Sequence, residues 1–236
     1  MEAKDRIIVA LDVPWLEEAG ELIGQLAPYV GLFKVGLELI SAAGGSQAVQ
    51  FVHEHGGKVF YDGKFDDIPN TVGAASKVVA GLGVKMFNVH ASAGIEAMRA
   101  AANNRGKSLV LAVTVLTSLE ENNAHLIFGG PSKAKVLQFA RDAKLAGCDG
   151  IICSPQELEL LGKQKELAGL FRVTPGVRPE WAEAGDQKRV MTPGEAIKAG
   201  ADYLVIGRPI TKPPEAIGSP VAAAQRIAKE IKQALA

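Results

Sequence analysis

Eight short, β-rich apolar runs recur along the chain of 236 residues. Most are continuous apolar runs that do not alternate with polar residues, which is typical of strands in a parallel sheet buried on both faces. The runs predict strands at residues 6–13, 32–36, 58–64, 86–91, 109–115, 150–154, 171–177 and 203–208.

Amphipathic segments lie between these runs and predict helices that cover the sheet. The first segment carries apolar residues on one helical face at Leu16, Ala19, Leu22, Ile23 and Leu26, and the last segment does so at Val221, Ala224, Ile227, Ala228, Ile231 and Leu235. Eight alternating units predict an α/β fold, a (β/α)8 TIM barrel, as a single domain over residues 1–236. The alternative is a doubly wound open sheet, but "ALDVPWLEEAG" lacks the glycine fingerprint usual in its first strand–helix turn.

Charge and cysteine content narrow the classes of partner. The formal net charge is zero, so we expect neither a nucleic-acid partner nor a membrane-surface partner, since both favour a basic field. No run of about 18 apolar residues predicts a membrane helix, and the polar start "MEAKDR" lacks an apolar signal core. The two cysteines, Cys148 and Cys153, are too few for a disulfide framework, which favours a cytoplasmic protein.

Charged residues stand at or beyond the ends of the first three predicted strands, where a barrel has its active site. Asp62 and Lys64 are two residues apart, so we expect both side chains on one face of the strand. Lys34 from the neighbouring strand then flanks Asp62, with Asp12 and Asp67 close by. Such an alternating row keeps charges paired when they are partly desolvated, and it keeps a lysine protonated as a proton donor. The alternative is a structural ion-pair network that closes the barrel.

A second set of residues follows strands seven and eight, where barrels often bind phosphate. "TPGVRP" contains Gly176 and Arg178, and "GRP" contains Gly207 and Arg208. Glycine lets backbone N–H groups approach an oxyanion, and arginine offers a two-pronged donor.

The polar segment 177–192 is longer than most strand–helix connections, which suggests a mobile lid. Its residues Gln187, Lys188 and Arg189 are candidates to close over a phosphate. The alternative is a solvated loop with incidental charge.

Other chemistry has little support in the sequence. His53 and His55 do not share a helical face, so a metal site there is not expected, and His90 is interpreted as a packed, hydrogen-bonded residue. There is no metal-ligand cluster, nucleophile elbow or nucleotide-binding loop of the Gly-Lys-Ser type.

The segment "DGKFDDIPNT" at 62–71 contains a long motif, Asp-x-Lys-x-x-Asp-Ile-Pro-x-Thr, which resembles the signature of the orotidine 5′-monophosphate decarboxylase family in its bacterial branch. Further segments resemble the family in order, and they are "ALDVP", "FKVGLEL", "NVHASAG", "VTVLTS", "TPGVRP", "GDQKRVMTP" and "VIGRPI". The resemblance implies conversion of orotidine 5′-monophosphate into uridine 5′-monophosphate and CO2 in pyrimidine synthesis. It also implies no metal, no organic cofactor and a homodimer with shared active sites.

The resemblance also implies roles for single residues. Lys64 would protonate the pyrimidine carbon that loses CO2, and Asp62, Lys34 and Asp67 of the other subunit would complete a catalytic tetrad. The implied substrate-binding residues are Asp12, Lys34 and Thr71 at the ribose, Thr117 at the pyrimidine, Arg178, Gln187, Gly207 and Arg208 at the phosphate, and additionally Asp62, Ile68 and Pro175.

Two positions depart from the family pattern. Gly63 replaces a larger apolar residue, and Asp66 stands where histidine is common. We expect position 63 to point away from Asp62 and Lys64 toward the helices, and we expect Asp66 to alter the pH profile.

Two rival functions remain open at this point. One is a metal-dependent sugar-phosphate enzyme such as hexulose-phosphate synthase, which shares the Asp-x-Lys strand end. The other is a catalytically silent barrel that only binds a phosphorylated ligand.

Overall fold

All eight predicted strands are present in the computed structural model, which describes residues 1–182 and 191–236. They run parallel, each pairs with the next, and β8 pairs with β1, so that the sheet closes into a barrel. The strands are β1 (Ile7–Ala10), β2 (Leu32–Val35), β3 (Val59–Phe65), β4 (Met86–His90), β5 (Leu109–Val113), β6 (Gly150–Ile152), β7 (Phe171–Pro175) and β8 (Tyr203–Ile206). The barrel prediction is confirmed, and the open-sheet alternative is wrong.

Most strands end earlier than the apolar runs predicted. In β1 the strand stops at Ala10, although Leu11 and Val13 are also buried. The N–H of Leu11 still donates to Lys34 O on β2 at 3.1 Å, and Leu11 and Val13 both belong to the core between strands and helices. An apolar run therefore marks burial and overestimates the length of the strand.

Eleven α-helices lie within the described residues. They are α1 (Leu16–Leu26), α2 (Leu37–Ala43), α3 (Gly45–Glu54), α4 (Pro69–Gly81), α5 (Ile95–Asn103), α6 (Glu121–Phe128), α7 (Ser132–Ala146), α8 (Leu158–Gly162), α9 (Pro193–Lys198), α10 (Arg208–Thr211) and α11 (Pro220–Leu235). No helix within residues 1–182 and 191–236 is both long and apolar enough to cross a membrane.

The first and last long helices follow the predicted apolar faces. In α1, Ala19, Leu22, Ile23 and Leu26 are buried. In α11, Ala224, Ile227 and Ile231 are buried, but Leu235 is 47% exposed. Leu235 is the last residue of α11, so the predicted apolar face is buried at Ala224, Ile227 and Ile231 but not at the end of the helix.

The core has two parts, as expected for a filled barrel. The larger part lies between strands and helices. The smaller part consists of buried residues from seven of the eight strands, namely Ile8, Leu32, Phe60, Met86, Leu111, Val173 and Tyr203. This layer forms an apolar floor, and the polar residues at the carboxyl ends of the strands lie above it.

Candidate active site

Four of the predicted charged residues form a continuous row at the carboxyl ends of β1, β2 and β3. Lys64 Nζ lies 2.8 Å from Asp62 Oδ1, and Lys34 Nζ lies 3.3 Å from Asp62 Oδ2. Lys34 Nζ also lies 2.9 Å from Asp12 Oδ1. Asp62 is 6% exposed, so its carboxylate is held between two ammonium groups with little access to water.

Asp67 does not join this row within the chain. Its Oδ1 accepts a hydrogen bond of 2.7 Å from the backbone N–H of Ile68, and it has no ion pair among residues 1–182 and 191–236. Ile68 is 66% exposed, and Thr71 at the start of α4 is exposed as well. All six residues from 66 to 71 face solvent, directly beyond the strand that carries Lys64.

The backbone of β3 is irregular between Tyr61 and Phe65. The pairing of β3 with β4 shifts register there, and Lys64 has a φ of +49°, the only positive φ of a non-glycine residue in the described part of the chain. The prediction that Asp62 and Lys64 meet agrees with the geometry, but simple strand alternation is not the reason. The bulged backbone turns Lys64 back toward Asp62, as bulges next to active sites often re-aim a side chain.

Asn88 on β4 holds this bulge, and the sequence analysis did not single it out as a site residue. It is fully buried. Its Oδ1 accepts a 2.7 Å hydrogen bond from the backbone N–H of Lys64, and its Nδ2 donates a 2.6 Å hydrogen bond to Asp62 Oδ1. The available signal was an asparagine inside the otherwise apolar run "MFNV".

The energies of these interactions are of comparable size. A left-handed backbone costs an L-residue about 1–2 kcal/mol. A hydrogen bond to a charged group, such as that from Asn88 to Asp62, contributes about 1.5–3 kcal/mol. The bonds made by Asn88 are therefore strong enough to offset the strain at Lys64.

Burial and charge compete at Lys34. Burial by itself lowers its pKa, but the negative charges of Asp62 and Asp12 and their hydrogen bonds outweigh that effect, and the net pKa is raised above 10.5. The stability that a raised lysine pKa provides is fully present below the ordinary value and is lost as the pH rises through the raised value. Lys34 is therefore a permanent cation at neutral pH.

His90, at the end of β4, is half-buried beside this row. Burial lowers its pKa below 6.5, and the nearby ammonium of Lys64 acts in the same direction, while Asp66 and Asp62 oppose the shift. The imidazole is therefore neutral at pH 7, which agrees with its interpretation as a packed residue.

Two glycines make room for the row. A Cβ atom at Gly36 would lie 2.6 Å from Lys34 Nζ, so a side chain there would displace the ammonium. A Cβ atom at Gly63 would lie 2.5 Å from Cε1 of Tyr61, whose side chain packs against the core between strands and helices. This agrees with the expected direction of position 63, and it shows that Gly63 accommodates the ring of Tyr61.

The predicted phosphate residues lie on the other side of the barrel mouth. Pro175 ends β7, and the backbone N–H of Arg178 donates to Met191 O at 2.9 Å. Gly207 precedes α10 and Arg208 begins it, and a Cβ atom at Gly207 would lie 3.7 Å from Asp12 Oδ2. Gly207 is therefore close to Asp12, the first residue of the charged row, and the two groups of residues adjoin at the barrel mouth.

Two further predictions fall near or outside this region. Thr117 is exposed in the turn after β5. Gln187, Lys188 and Arg189, in the middle of the predicted lid at 177–192, lie outside the described residues. Where the structure describes the chain, no three or more His, Cys, Asp or Glu side chains are grouped so that they could hold a metal ion.

Comparisons with known proteins agree on one family. A family model described as "Orotidine 5'-phosphate decarboxylase / HUMPS family" matches residues 5–227. Two relatives named orotidine 5′-phosphate decarboxylase come from Moorella thermoacetica and Syntrophomonas wolfei. The first is 48% identical and covers 98% of this chain and 94% of its own length. The second is 44% identical and covers 99% of this chain and 100% of its own length.

Solved structures give the same result. A crystal structure of orotidine 5′-phosphate decarboxylase from Lactobacillus acidophilus superposes with a TM-score of 0.80 at 34% identity and covers 95% of this chain and 98% of its own. A crystal structure of orotidine 5′-phosphate decarboxylase from Pyrococcus horikoshii has a TM-score of 0.75 at 26% identity. It covers 96% of this chain and 99% of its own.

Proposed function

The chain belongs to the orotidine 5′-phosphate decarboxylase / HUMPS family, and we propose that Lys64 donates the proton when it converts orotidine 5′-monophosphate into uridine 5′-monophosphate and CO2. The decarboxylase activity, with its place in pyrimidine biosynthesis, follows from relatives of that name at 44–48% identity. The role of Lys64 rests on one observation, which is its ammonium 2.8 Å from the buried carboxylate of Asp62 at the barrel mouth.

The chemistry requires a fixed cation at this place. When the bond between the ring carbon and the carboxylate breaks, CO2 leaves and the electron pair stays on the ring carbon. An ammonium beside that carbon stabilises the developing negative charge. The Nζ–H bond of Lys64 then breaks as the new C–H bond forms, and neutral Lys64 recovers its proton from water.

Asp62 and Lys34 support this step in different ways. Asp62 positions the Lys64 ammonium, and its negative charge near the substrate carboxylate disfavours the ground state. Lys34 balances the charge of Asp62 from the other side, at 3.3 Å. Lys34 and Asp12 also bind the ribose hydroxyls.

The remaining residues bind the substrate away from the reacting carbon. Thr117 contacts the pyrimidine, Pro175 and Ile68 line the site, and the phosphate is held by Arg178, Gln187, Gly207 and Arg208. Binding energy from the phosphate can then position the ring against Lys64. Replacing Arg208 by alanine should therefore lower kcat/KM strongly, and a variant with wild-type kcat/KM would contradict this role.

The active site is completed by a second subunit, whose Asp67 joins the tetrad and whose Thr71 reaches the ribose. The solvent exposure of Asp67, Ile68 and Thr71 supports this arrangement, because it leaves all three accessible to a second subunit. Asp67 also makes no ion pair with the row within residues 1–182 and 191–236. The free, buried cysteines favour a reducing cytoplasm as the place of action.

Mixed dimers test the shared site. Lys64→Ala and Asp67→Ala should each be inactive alone. When the two variants are co-expressed, a hybrid dimer has one site with both residues intact, so activity should return to about one quarter of wild type. Activity no higher than the sum of the two variants would show that each site is built from one chain.

Metal dependence separates the decarboxylase from the sugar-phosphate enzymes. Loss of orotidine 5′-monophosphate absorbance should proceed unchanged in excess EDTA. Turnover only after addition of a divalent metal, or turnover of a hexulose phosphate in place of the nucleotide, would favour the sugar-phosphate function.

A further inference from the structure

The side chain of Asn88 closes a ring of interactions around the proposed proton donor. The ring runs from the Lys64 backbone N–H to Asn88 Oδ1 at 2.7 Å, from Asn88 Nδ2 to Asp62 Oδ1 at 2.6 Å, and from Asp62 Oδ1 back to Lys64 Nζ at 2.8 Å. One carboxylate oxygen, Asp62 Oδ1, thus accepts a hydrogen bond from the amide of Asn88 and forms the ion pair with the ammonium of Lys64. Every member of the ring comes from the same chain.

We propose that Asn88 is a positioning residue for the decarboxylation, which acts by fixing both the backbone and the ammonium of Lys64. The inference rests on the proposed proton-donor role of Lys64. It explains why Lys64 keeps a φ of +49° where β3 shifts register against β4. Without an acceptor on β4 for its N–H, the backbone at Lys64 would relax toward a regular strand and carry the ammonium away from Asp62.

At neutral pH an amide of this length fits both bonds. The Lys64 N–H needs an acceptor and the Asp62 carboxylate needs a donor, and the amide supplies one of each from a single planar group. An ionised carboxyl in its place could accept only and would repel Asp62. Glutamine has the same two groups, but its additional methylene moves them in a fully buried site.

The first measurement compares kcat and KM of Asn88→Ala with those of wild type and Lys64→Ala. A misplacement of the donor by about 1 Å predicts a fall in kcat of about 100-fold. We expect little change in KM because Asn88 is fully buried beneath Asp62 and Lys64 and is not accessible to a ligand. A folded Asn88→Ala protein with wild-type kcat would overturn the inference.

Ser108→Ala is the matched control. Ser108 is buried, and its Oγ donates a 2.6 Å hydrogen bond to Val84 O at the opposite end of the barrel. Its loss should lower the melting temperature without changing kcat. An equal fall in kcat in both variants would mean that Asn88 has only a structural role.

A pH profile of Asn88→Asp provides a second readout that general destabilisation would not produce. A neutral carboxyl both donates and accepts, as the amide does, whereas the ionised form only accepts. The ratio of variant to wild-type kcat should therefore rise as the pH falls. The neighbouring titratable groups Asp12, Lys34, Asp62, Lys64, Asp66 and His90 are present in both proteins, so a change in the ratio reports the added carboxyl and its interaction with Asp62.

The outcomes separate the two proposals. Wild-type kcat in Lys64→Ala would overturn the proton-donor role and the role of Asn88 with it. Collapse of Lys64→Ala beside an unaffected Asn88→Ala would overturn only the inference about Asn88. If Asn88→Ala does not fold, the pH ratio of Asn88→Asp decides, and a flat ratio overturns the inference.

Discussion

Two carboxylates in the barrel, the buried Asp62 and the partly buried Glu157, have opposite surroundings. Asp62 lies between the ammonium groups of Lys34 and Lys64 and receives the amide of Asn88. Glu157, between β6 and α8, accepts one backbone hydrogen bond of 2.8 Å from Ser154 and has no ion pair in the described part of the chain. The chain thus contains the same chemical group once with two cations and once with none.

The absence of a cation has a direct consequence for Glu157. Burial raises its pKa to about 7, and the hydrogen bond from Ser154 only partly opposes the shift. Glu157 caps the helical segment that follows Ser154 by accepting the backbone N–H of Ser154. Because burial disfavours its charged form, ionised Glu157 lowers the stability of the folded protein. Asp62 has its charge balanced on both sides, which allows a buried anion to persist in the site where the chemistry needs it.

Of the substitutions that test the difference between Asp62 and Glu157, Asp62→Asn should have the largest effect on stability and on kcat. It leaves Lys34 and Lys64 close together without the charge that balances them. Removing one partner of a buried ion pair costs about 3–5 kcal/mol, and misplacing the donor should lower kcat about 100-fold or more. Urea unfolding and steady-state kinetics measure the two effects, and a stable, active variant would contradict the role assigned to the row.

Glu157→Gln should raise the free energy of unfolding, whereas Asp62→Asn should lower it. A carboxyl whose folded pKa is raised binds more protons in the folded state, so its contribution to stability falls as the pH rises from about 4.5 to about 7. Glutamine keeps an acceptor for Ser154 and removes the titration. The variant should gain about 1–3 kcal/mol at pH 8 and much less at pH 5, as measured by urea unfolding at both pH values.

The control for Glu157→Gln is catalytic. Its kcat should stay at the wild-type value, because no part of the charged row touches Glu157 in the structure. A variant that is less stable than wild type at pH 8 would mean that Glu157 has a charged partner after all.

Asp12→Asn should have a smaller effect on stability than Asp62→Asn, although the two residues share Lys34. The Asp12–Lys34 distance is the shorter one, 2.9 Å against 3.3 Å, but the side chain of Asp12 is 59% exposed. Exposed pairs contribute about 0–1 kcal/mol because water screens them. Equal losses of stability in the two variants would show that distance matters more here than burial.

The two cysteines should show the smallest effect, which is an absence of reaction. Burial raises the pKa of both the Cys148 and Cys153 thiols to about 12, and neither thiol has a cation close enough to reverse the shift. A thiol reagent at pH 8 should therefore modify neither cysteine in the folded protein and both in urea. Fast modification of the folded protein would mean that the barrel opens locally.

The sequence was sufficient to predict the barrel because each strand is a continuous apolar run, and burial on both faces leaves that pattern in any parallel barrel. It also identified Asp12, Lys34, Asp62 and Lys64, since residues at strand ends of a barrel meet at one mouth. The left-handed backbone of Lys64 was not predictable, because it depends on a register shift between β3 and β4, which is a relation between two strands. Asn88 left a local signal as a polar residue in an apolar run, but that signal does not say which residues of β3 it contacts.

The most direct test of the account is the kcat of Lys64→Ala on orotidine 5′-monophosphate in excess EDTA, beside Lys107→Ala. Lys107 is an exposed lysine at the opposite end of the barrel, so its loss removes the same charge without touching the site. The account predicts a fall of about 1,000-fold or more for Lys64→Ala and wild-type turnover for Lys107→Ala. Wild-type turnover in Lys64→Ala would contradict the claim that this ammonium, fixed by Asp62, delivers the proton.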